Sequence, residues 1–161
     1  MTGVQTCALP ISDSAGYWPL SYHGGSVWAH DTAIAISGLA RDGFREEAGS
    51  LASGLLAAAT GFGYRMPELH SGDPASSTSV PIPYPAACRP QAWSAAAAVS
   101  VLSSILGLVP SAPDGTLHVS PAPTVGALSV SGLRLGAADV SLEVNADGEV
   151  VAASGAAIDV G

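Results

Sequence analysis

The stretch YHGGSVWAHD, from Tyr22 to Asp31, leads directly into an apolar, periodic segment and decides how the first half of the chain folds. Asp31 falls where the first turn of a helix would lie, and a carboxylate there suits the positive end of the helix dipole. Ile34 and Leu39, with small residues between them, make an apolar face. The pattern predicts a helix from about Ala29 to Arg41.

Two further helices are predicted downstream. Ala48, Leu51 and Leu55 recur at three- and four-residue spacing, which predicts a second helix from about Phe44 to Thr60. The third helix is expected to begin at residue 90 or 91, because proline is tolerated in a first turn, and to end between residues 106 and 109. Its apolar composition indicates a buried helix.

A long loop and a β-rich tail complete the chain. The loop runs from Gly61 to Pro90 and contains six prolines; loops of such length within compact domains are usually functional or disordered. After Pro110, short β-type runs follow, and the tetrapeptide from Asn145 to Gly148 suits a hairpin turn. We expect a small antiparallel sheet, with strands at residues 116–119, 127–130, 140–144 and 149–153.

Composition excludes two classes of partner. The chain has a net charge of −8 and no lysine, and its five basic residues are all arginines without a cluster in the sequence. Nucleic acids and anionic membrane surfaces both require concentrated basic charge, so neither is expected as a partner. The longest apolar tract, Ala95 to Val109, is interrupted by serines and is too short to span a bilayer.

The first twelve residues, MTGVQTCALPIS, are expected not to belong to the natural protein. Read as codons, Thr2 to Ile11 resemble a sequencing-library adapter, so the natural chain is expected to continue upstream of Asp13. The segment lacks the basic start and long apolar stretch of a secretory signal, and the expected compartment is the cytoplasm. The predicted division is an artefact at 1–12, a helical part at 13–109 and a β tail at 110–161.

The cysteines predict neither a disulfide framework nor a cysteine-based metal site. Once Cys7 is set aside with the first twelve residues, Cys88 stands alone. We expect Cys88 to be a small buried hydrophobic residue.

Three segments hold the aromatic, histidine and acidic residues that are unusual for simple packing. They are residues 22–31, residues 65–70 (RMPELH) and residues 88–93 (CRPQAW). Carboxylates and amides hold sugar hydroxyls, and aromatic rings cover the apolar faces of sugars. Residues of these types favour a carbohydrate site: Tyr22, Trp28, Asp31, Glu68, Gln91 and Trp93.

Two other chemistries are disfavoured. Five residues offer metal-ligand atoms, but no pair has an established metal spacing and HExxH is absent, so no metal is expected; they are His23, His30, Asp31, Glu68 and His70. His23-Gly-Gly25 could serve as an oxyanion loop, but no G-x-S-x-G nucleophile elbow follows.

The three segments together resemble one family. YHGGSVWAHD is similar to Y-H-N-G-S-V-W-P-H-D of bacterial amylo-alpha-1,6-glucosidases and glycogen-debranching-type hydrolases. MPELHSG is similar to their R-L-P-E-L-F-x-G, and YPAACRPQAWSAAA to their Y-P-x-A-C-x-P-Q-A-W-A. Order and spacing agree from about Tyr17 to Pro123. The sequence departs from the pattern at Gly24, where asparagine is usual, and at Ala29, where proline is usual.

The resemblance implies a mainly α fold, namely the last helices of an (α/α)6 barrel of six-hairpin glycosidase type followed by the β tail. It implies an oligo- or polysaccharide substrate with α-glucosidic bonds and no cofactor. Glu68 matches the late general base, while the general acid is expected upstream, so this chain by itself is expected to be inactive. The substrate-binding residues implied or favoured are Tyr22, His23, Trp28, Asp31, Gln91 and Trp93.

Two alternatives stay open at this point. The chain could be a truncated, non-catalytic piece that binds carbohydrate. It could also belong to a six-hairpin enzyme of different chemistry, such as a sugar epimerase.

Overall fold

The computed structural model describes residues 13–161. The predicted artefact at 1–12, with Cys7, lies outside the described residues. The fold is α+β, with 29% helix and 24% strand in three small sheets. The expectation of a mainly α fold belonging to a helical barrel is therefore wrong. Physically, three helices cannot close a barrel on themselves, and the last third of the chain forms strands.

The three predicted helices are confirmed within a few residues. Helix α1 spans Ala29–Arg41, α2 spans Arg45–Thr60 and α3 spans Ala92–Ile105. A short turn joins α1 to α2. The expectation that α3 is buried holds for one stripe only, because Ala97, Val101 and Ile105 are buried while Val99 is 66% exposed.

Helices α1 and α3 lie side by side and run in the same direction. Near their N-terminal ends, the rings of His30 and Trp93 lie 4.6 Å apart. Near their C-terminal ends, Arg41 and Ser104 line the same cleft. The core between the three helices is built largely from alanine, with Ile36 and Leu51 among its larger members. Small side chains allow the close approach of the helix backbones.

Two strands of two residues each link the long loop to the start of α1. Strand β1 is Val27–Trp28 and strand β2 is Leu69–His70. They pair in antiparallel register, with Val27 opposite His70 and Trp28 opposite Leu69. This pairing fixes the middle of the long loop against the segment that precedes α1.

The β tail contains two sheets of three strands. Its strands are β3 (Val109–Ser111), β4 (Thr116–Val119), β5 (Leu128–Leu135), β6 (Ala138–Val144), β7 (Val150–Ser154) and β8 (Ala157–Val160). The orders are β3-β4-β8 and β5-β6-β7. The expected single antiparallel sheet is wrong, because β4 and β8 are parallel and belong to a separate sheet.

The β6–β7 hairpin is confirmed, whereas β5 is longer than expected. The N–H of Asn145 donates to the carbonyl of Glu149 at 2.9 Å, which closes the predicted turn. Strand β5 continues past residue 130 through a register shift between Val130 and Leu133. Gly132 lies within that shift with φ of +78°, a conformation that glycine adopts without steric cost.

The helical part and the β tail meet where α3 ends. The N–H groups of Ser120 and Ala122 donate to the carbonyls of Leu106 and Ile105 at 3.0 and 2.7 Å. Gly107 turns the chain with φ of +58°, and a Cβ there would lie 2.2 Å from the carbonyl oxygen of Ser120. Within residues 13–161, no helix combines the length and apolar character needed to cross a bilayer.

Candidate functional site

The structure brings the three unusual segments together at the N-terminal ends of α1 and α3. The β1–β2 pair joins the first segment to the second. The N–H of Glu68 donates to the carbonyl of Cys88 at 3.0 Å, and Ser94 Oγ donates to the carbonyl of Pro67 at 2.8 Å. Both bonds join the second segment to the third. We refer to this meeting point of residues 22–31, 65–70 and 88–93 as the motif site.

A continuous aromatic array crosses the motif site. Neighbouring ring centroids lie 6.0 Å apart for Tyr84 and Tyr22, 4.5 Å for Tyr22 and Trp28, 5.5 Å for Trp28 and His30, and 4.6 Å for His30 and Trp93. Most of these pairs meet edge to face, a favourable arrangement for aromatic rings. The array therefore connects the first segment to the third, and to Tyr84 in the long loop, through ring contacts.

Trp28 is the buried centre of the array. Its side chain is 4% exposed, and its Nε1 donates to the carbonyl of Tyr22 at 2.8 Å. The ring of His23 stacks on it at 5.4 Å with an angle of 13° between the planes. This burial leaves no free face of Trp28 for a sugar, so its predicted direct contact with substrate is corrected. Trp28 positions Tyr22 and His23 instead.

Two members of the array are open to solvent. Tyr22 is 44% exposed and Trp93 is 62% exposed. Trp93 lies in the first turn of α3, and its ring contacts that of His30. An exposed ring held by an aromatic neighbour is a surface on which the apolar face of a sugar can stack.

Glu68 is partly buried and lies directly before β2. The N–H of Cys88 points at its Oε2 at 3.5 Å. Partial burial of the phenol, the charge of Glu68 and the nearby Tyr84 together raise the pKa of Tyr22. Tyr22 therefore remains a neutral phenol that can donate or accept a hydrogen bond beside an acidic group.

Cys88 does not occupy the buried position expected of it. The structure places it at the exposed surface as a free thiol. Its backbone, and not its side chain, connects it to the motif site through both hydrogen bonds with Glu68. The main chain at Cys88 therefore positions the carboxylate.

Gln91 and Asp31 occupy the beginnings of the two parallel helices. Gln91 caps α3, since its side-chain oxygen accepts from the N–H of Ser94 at 3.0 Å. This bond gives Gln91 a structural role, and only its amide NH2 remains for a substrate. Asp31 lies in the first turn of α1, with Oδ1 3.6 Å from Nε2 of His30. Its side chain is 39% exposed, so a ligand can reach it.

His70 is a buried residue with a structural role at the motif site. It is 6% exposed, its Nδ1 lies 2.8 Å from the carbonyl of Ser71, and its Nε2 is buried with no hydrogen-bond partner among the described residues. Burial lowers the pKa of His70. The ring is therefore neutral at neutral pH. In the part of the chain that the structure describes, no three His, Cys, Asp or Glu side chains are grouped to hold a metal ion.

Tyr84 is the member of the array that the sequence prediction omitted. It is half-buried in the proline-rich loop and contacts Tyr22. One sequence feature pointed to Tyr84: it is the first residue of the third stretch that resembles the family, YPAACRPQAWSAAA. Its contact with Tyr22 could not be read from the sequence, because 62 positions separate Tyr84 from Tyr22.

One cavity among the described residues lies outside the motif site. A cleft of about 430 Å³ opens at the C-terminal ends of α1 and α3, away from the motif site. The exposed rings of the motif site, Tyr22 and Trp93, do not line this cleft.

Comparison with known proteins does not place the chain in a family. No family model matches it, and no curated protein sequence matches it. The resemblance therefore rests on the three short stretches and on no wider similarity.

Proposed function

We propose that this chain provides the general-base side of a cytoplasmic glycoside hydrolase acting on α-glucosidic bonds of oligo- or polysaccharides, in the manner of debranching enzymes. The observation that carries the proposal is the convergence of the three resembling segments on Glu68. The charge of this carboxylate acts on the exposed Tyr22, and the exposed Trp93 lies at the far end of the aromatic array that includes Tyr22.

The proposed chemistry follows from what glycoside hydrolysis requires. An inverting enzyme uses one ionised carboxylate to activate water and a carboxylic acid, about 6.5–9.5 Å away, to protonate the leaving group. Glu68 takes the first role, and its carboxylate is oriented by the N–H of Cys88. We assign no residue of this chain to the second role; Asp31 serves substrate binding at the start of α1.

A non-catalytic carbohydrate-binding function is the second candidate. It is favoured by the exposure of Tyr22 and Trp93 at 44% and 62%, because exposed aromatic rings alone are enough to bind sugars. In this alternative Glu68 accepts hydrogen bonds from sugar hydroxyls and activates no water. The two candidates share a binding surface and differ in whether a bond is cleaved.

One experiment with two measurements separates the candidates. Binding of maltotriose is measured for the wild-type chain, Glu68→Gln and Trp93→Ala, and glucose release from branched glucan is measured for an enzyme in which this chain is joined to the region that supplies the general acid. The hydrolase proposal expects release by that enzyme to fall by a factor of about 10²–10⁴ in Glu68→Gln, with binding retained. Binding without release by that enzyme supports the second candidate.

The matched control is Phe44→Ala. Phe44 is an aromatic residue of similar exposure, 54%, at the start of α2 and outside the array. Its variant should bind maltotriose like the wild type, whereas Trp93→Ala should bind more weakly. Absence of maltotriose binding in the folded wild-type chain would refute both candidates.

A further inference from the structure

We infer that the cleft at the C-terminal ends of α1 and α3 is a second binding site, for a small phosphomonoester. We call it the basic cleft. Its volume of about 430 Å³ lies within the range of pockets that hold small organic ligands. The inference concerns residues outside the motif site and does not depend on the proposed function.

The basic cleft concentrates positive charge in an acidic protein. Arg41 and Arg45 both line it, in a chain with only five basic residues and a net charge of −8. No aspartate or glutamate lines the cleft. Among the described residues, neither arginine forms an ion pair with a carboxylate. Two arginines therefore line the cleft with no carboxylate partner among residues 13–161.

Helix stability does not account for both arginines. A cation at the last residue of α1 suits the negative end of that helix dipole, which explains Arg41. Arg45 is the first residue of α2, where the dipole opposes a cation. The carbonyls of Gly38, Leu39 and Ala40 already accept backbone hydrogen bonds from the following turn, so they do not require the guanidinium groups.

Hydroxyl groups cover the wall opposite the arginines. Ser100, Ser103 and Ser104 have the spacing that places residues on one face of a helix, and all line the cleft from α3. Serine is a poorer helix former than alanine, which fills most of this helix. The serines therefore lower the helix propensity of this face relative to alanine, and they supply hydrogen-bond donors for a ligand.

His118 adds a ring nitrogen at the edge of the basic cleft. Its Nδ1 lies 3.0 Å from Oδ2 of Asp159 on the neighbouring strand, so Nε2 is the nitrogen left for a ligand. Guanidinium forks match phosphate oxygens, and a phosphate offers three terminal oxygens where a carboxylate offers two. A phosphate group fills only part of the cleft. The serines can form hydrogen bonds with an organic group that carries hydroxyls and is esterified to that phosphate.

The test is a titration of the whole wild-type chain followed by NMR, with glycerol 3-phosphate, inorganic phosphate, acetate and sodium chloride at matched ionic strength. We expect saturable chemical-shift changes at the amides of Gly107 and Leu108. The affinity should be highest for glycerol 3-phosphate, and sodium chloride should cause no saturable change. Equal affinity for inorganic phosphate and the ester would overturn the assignment to a phosphomonoester. No saturable shift with either phosphate would overturn the site.

Variants then test the two guanidinium groups. Arg41→Ala and Arg45→Ala should each weaken phosphate binding by about tenfold or more, since each removes charge-assisted hydrogen bonds. Arg134→Ala is the matched control, because Arg134 is an exposed arginine already paired with Asp139 in the β tail. Unchanged binding in both cleft variants, or equal weakening in Arg134→Ala, would refute the inference. The wild-type titration decides the question if a variant does not fold.

Discussion

The two ends of the parallel helices α1 and α3 are held in place by different kinds of contact. At the N-terminal end, side chains add to the backbone pairing that joins the segments: an indole donates to a backbone carbonyl, a glutamine caps a helix and a buried serine joins that helix to the loop. At the C-terminal end, backbone hydrogen bonds close both helices, and the side chains face an open cleft.

The difference shows where the chain depends on particular residues. A contact made by a side chain is lost when that residue is replaced, whereas a backbone hydrogen bond survives most substitutions. Replacements at the motif site should therefore reduce stability more than equivalent replacements at the basic cleft or on the outer surface.

The largest effect is expected from Trp28→Ala. The buried indole packs against Tyr22, His23 and His30, and removing a buried aromatic costs about 3–5 kcal/mol. Chemical denaturation measures the loss in free energy of unfolding. Trp93→Ala, which removes the same group at 62% exposure, should cost much less. Equal losses in the two variants would contradict the distinction between them.

Ser94→Ala should have a smaller but clear effect. Ser94 is 2% exposed and donates to the carbonyl of Pro67; its loss leaves a buried acceptor without a partner, at about 1–3 kcal/mol. Ser103→Ala is the control on the same helix, in the wall of the basic cleft. It should be neutral or slightly stabilising, because alanine favours the helix. A cost in Ser103→Ala as large as in Ser94→Ala would break the comparison.

His70 should make the motif end sensitive to acid. Because burial lowers its pKa in the folded state, the unfolded chain binds a proton first as the pH falls below about 6.5. The free energy of unfolding should therefore decrease from about pH 7.5 to pH 5.5. His70→Gln should remove this contribution, while His23→Gln, at an exposed ring, should retain it. The same slope in His70→Gln and the wild type would assign the pH dependence to other groups.

The smallest effect is expected at the edge of the basic cleft. Asp159→Asn removes the partner of His118, but the two side chains are 78% and 38% exposed. Exposed ion pairs contribute about 0.2–1 kcal/mol or less. Denaturation should show little change, and a loss comparable to that of Ser94→Ala would show that the cleft end also depends on side-chain contacts.

The helices were predictable because their signals are local. Apolar spacing placed α1, and the long apolar run placed α3 within a few residues of its observed ends. The fold class was not predictable in the same way, because strand pairing depends on distant residues. Strand β8 joins β4 across about forty residues, and β1 and β2 are too short to leave a pattern.

For the candidate site, the residue types in the sequence indicated which segments to consider. The sequence did not indicate which of their side chains are exposed. The three segments stood out by composition, and the structure does bring them together. Yet Trp28 is buried and Trp93 is exposed, although both are tryptophans next to the start of a helix. Which one faces solvent depends on the β1–β2 pairing and the direction of α3, and neither is contained in the local sequence.

The irregularity in β5 has a consequence for solubility. This strand forms an edge of its sheet, and an unpaired edge can recruit another chain through its free N–H and C=O groups. The register shift at Gly132 interrupts the row of groups and twists the strand, and the charged Arg134 follows two residues later. In a chain with a mean hydropathy of +0.38, one glycine thereby works against edge-to-edge aggregation.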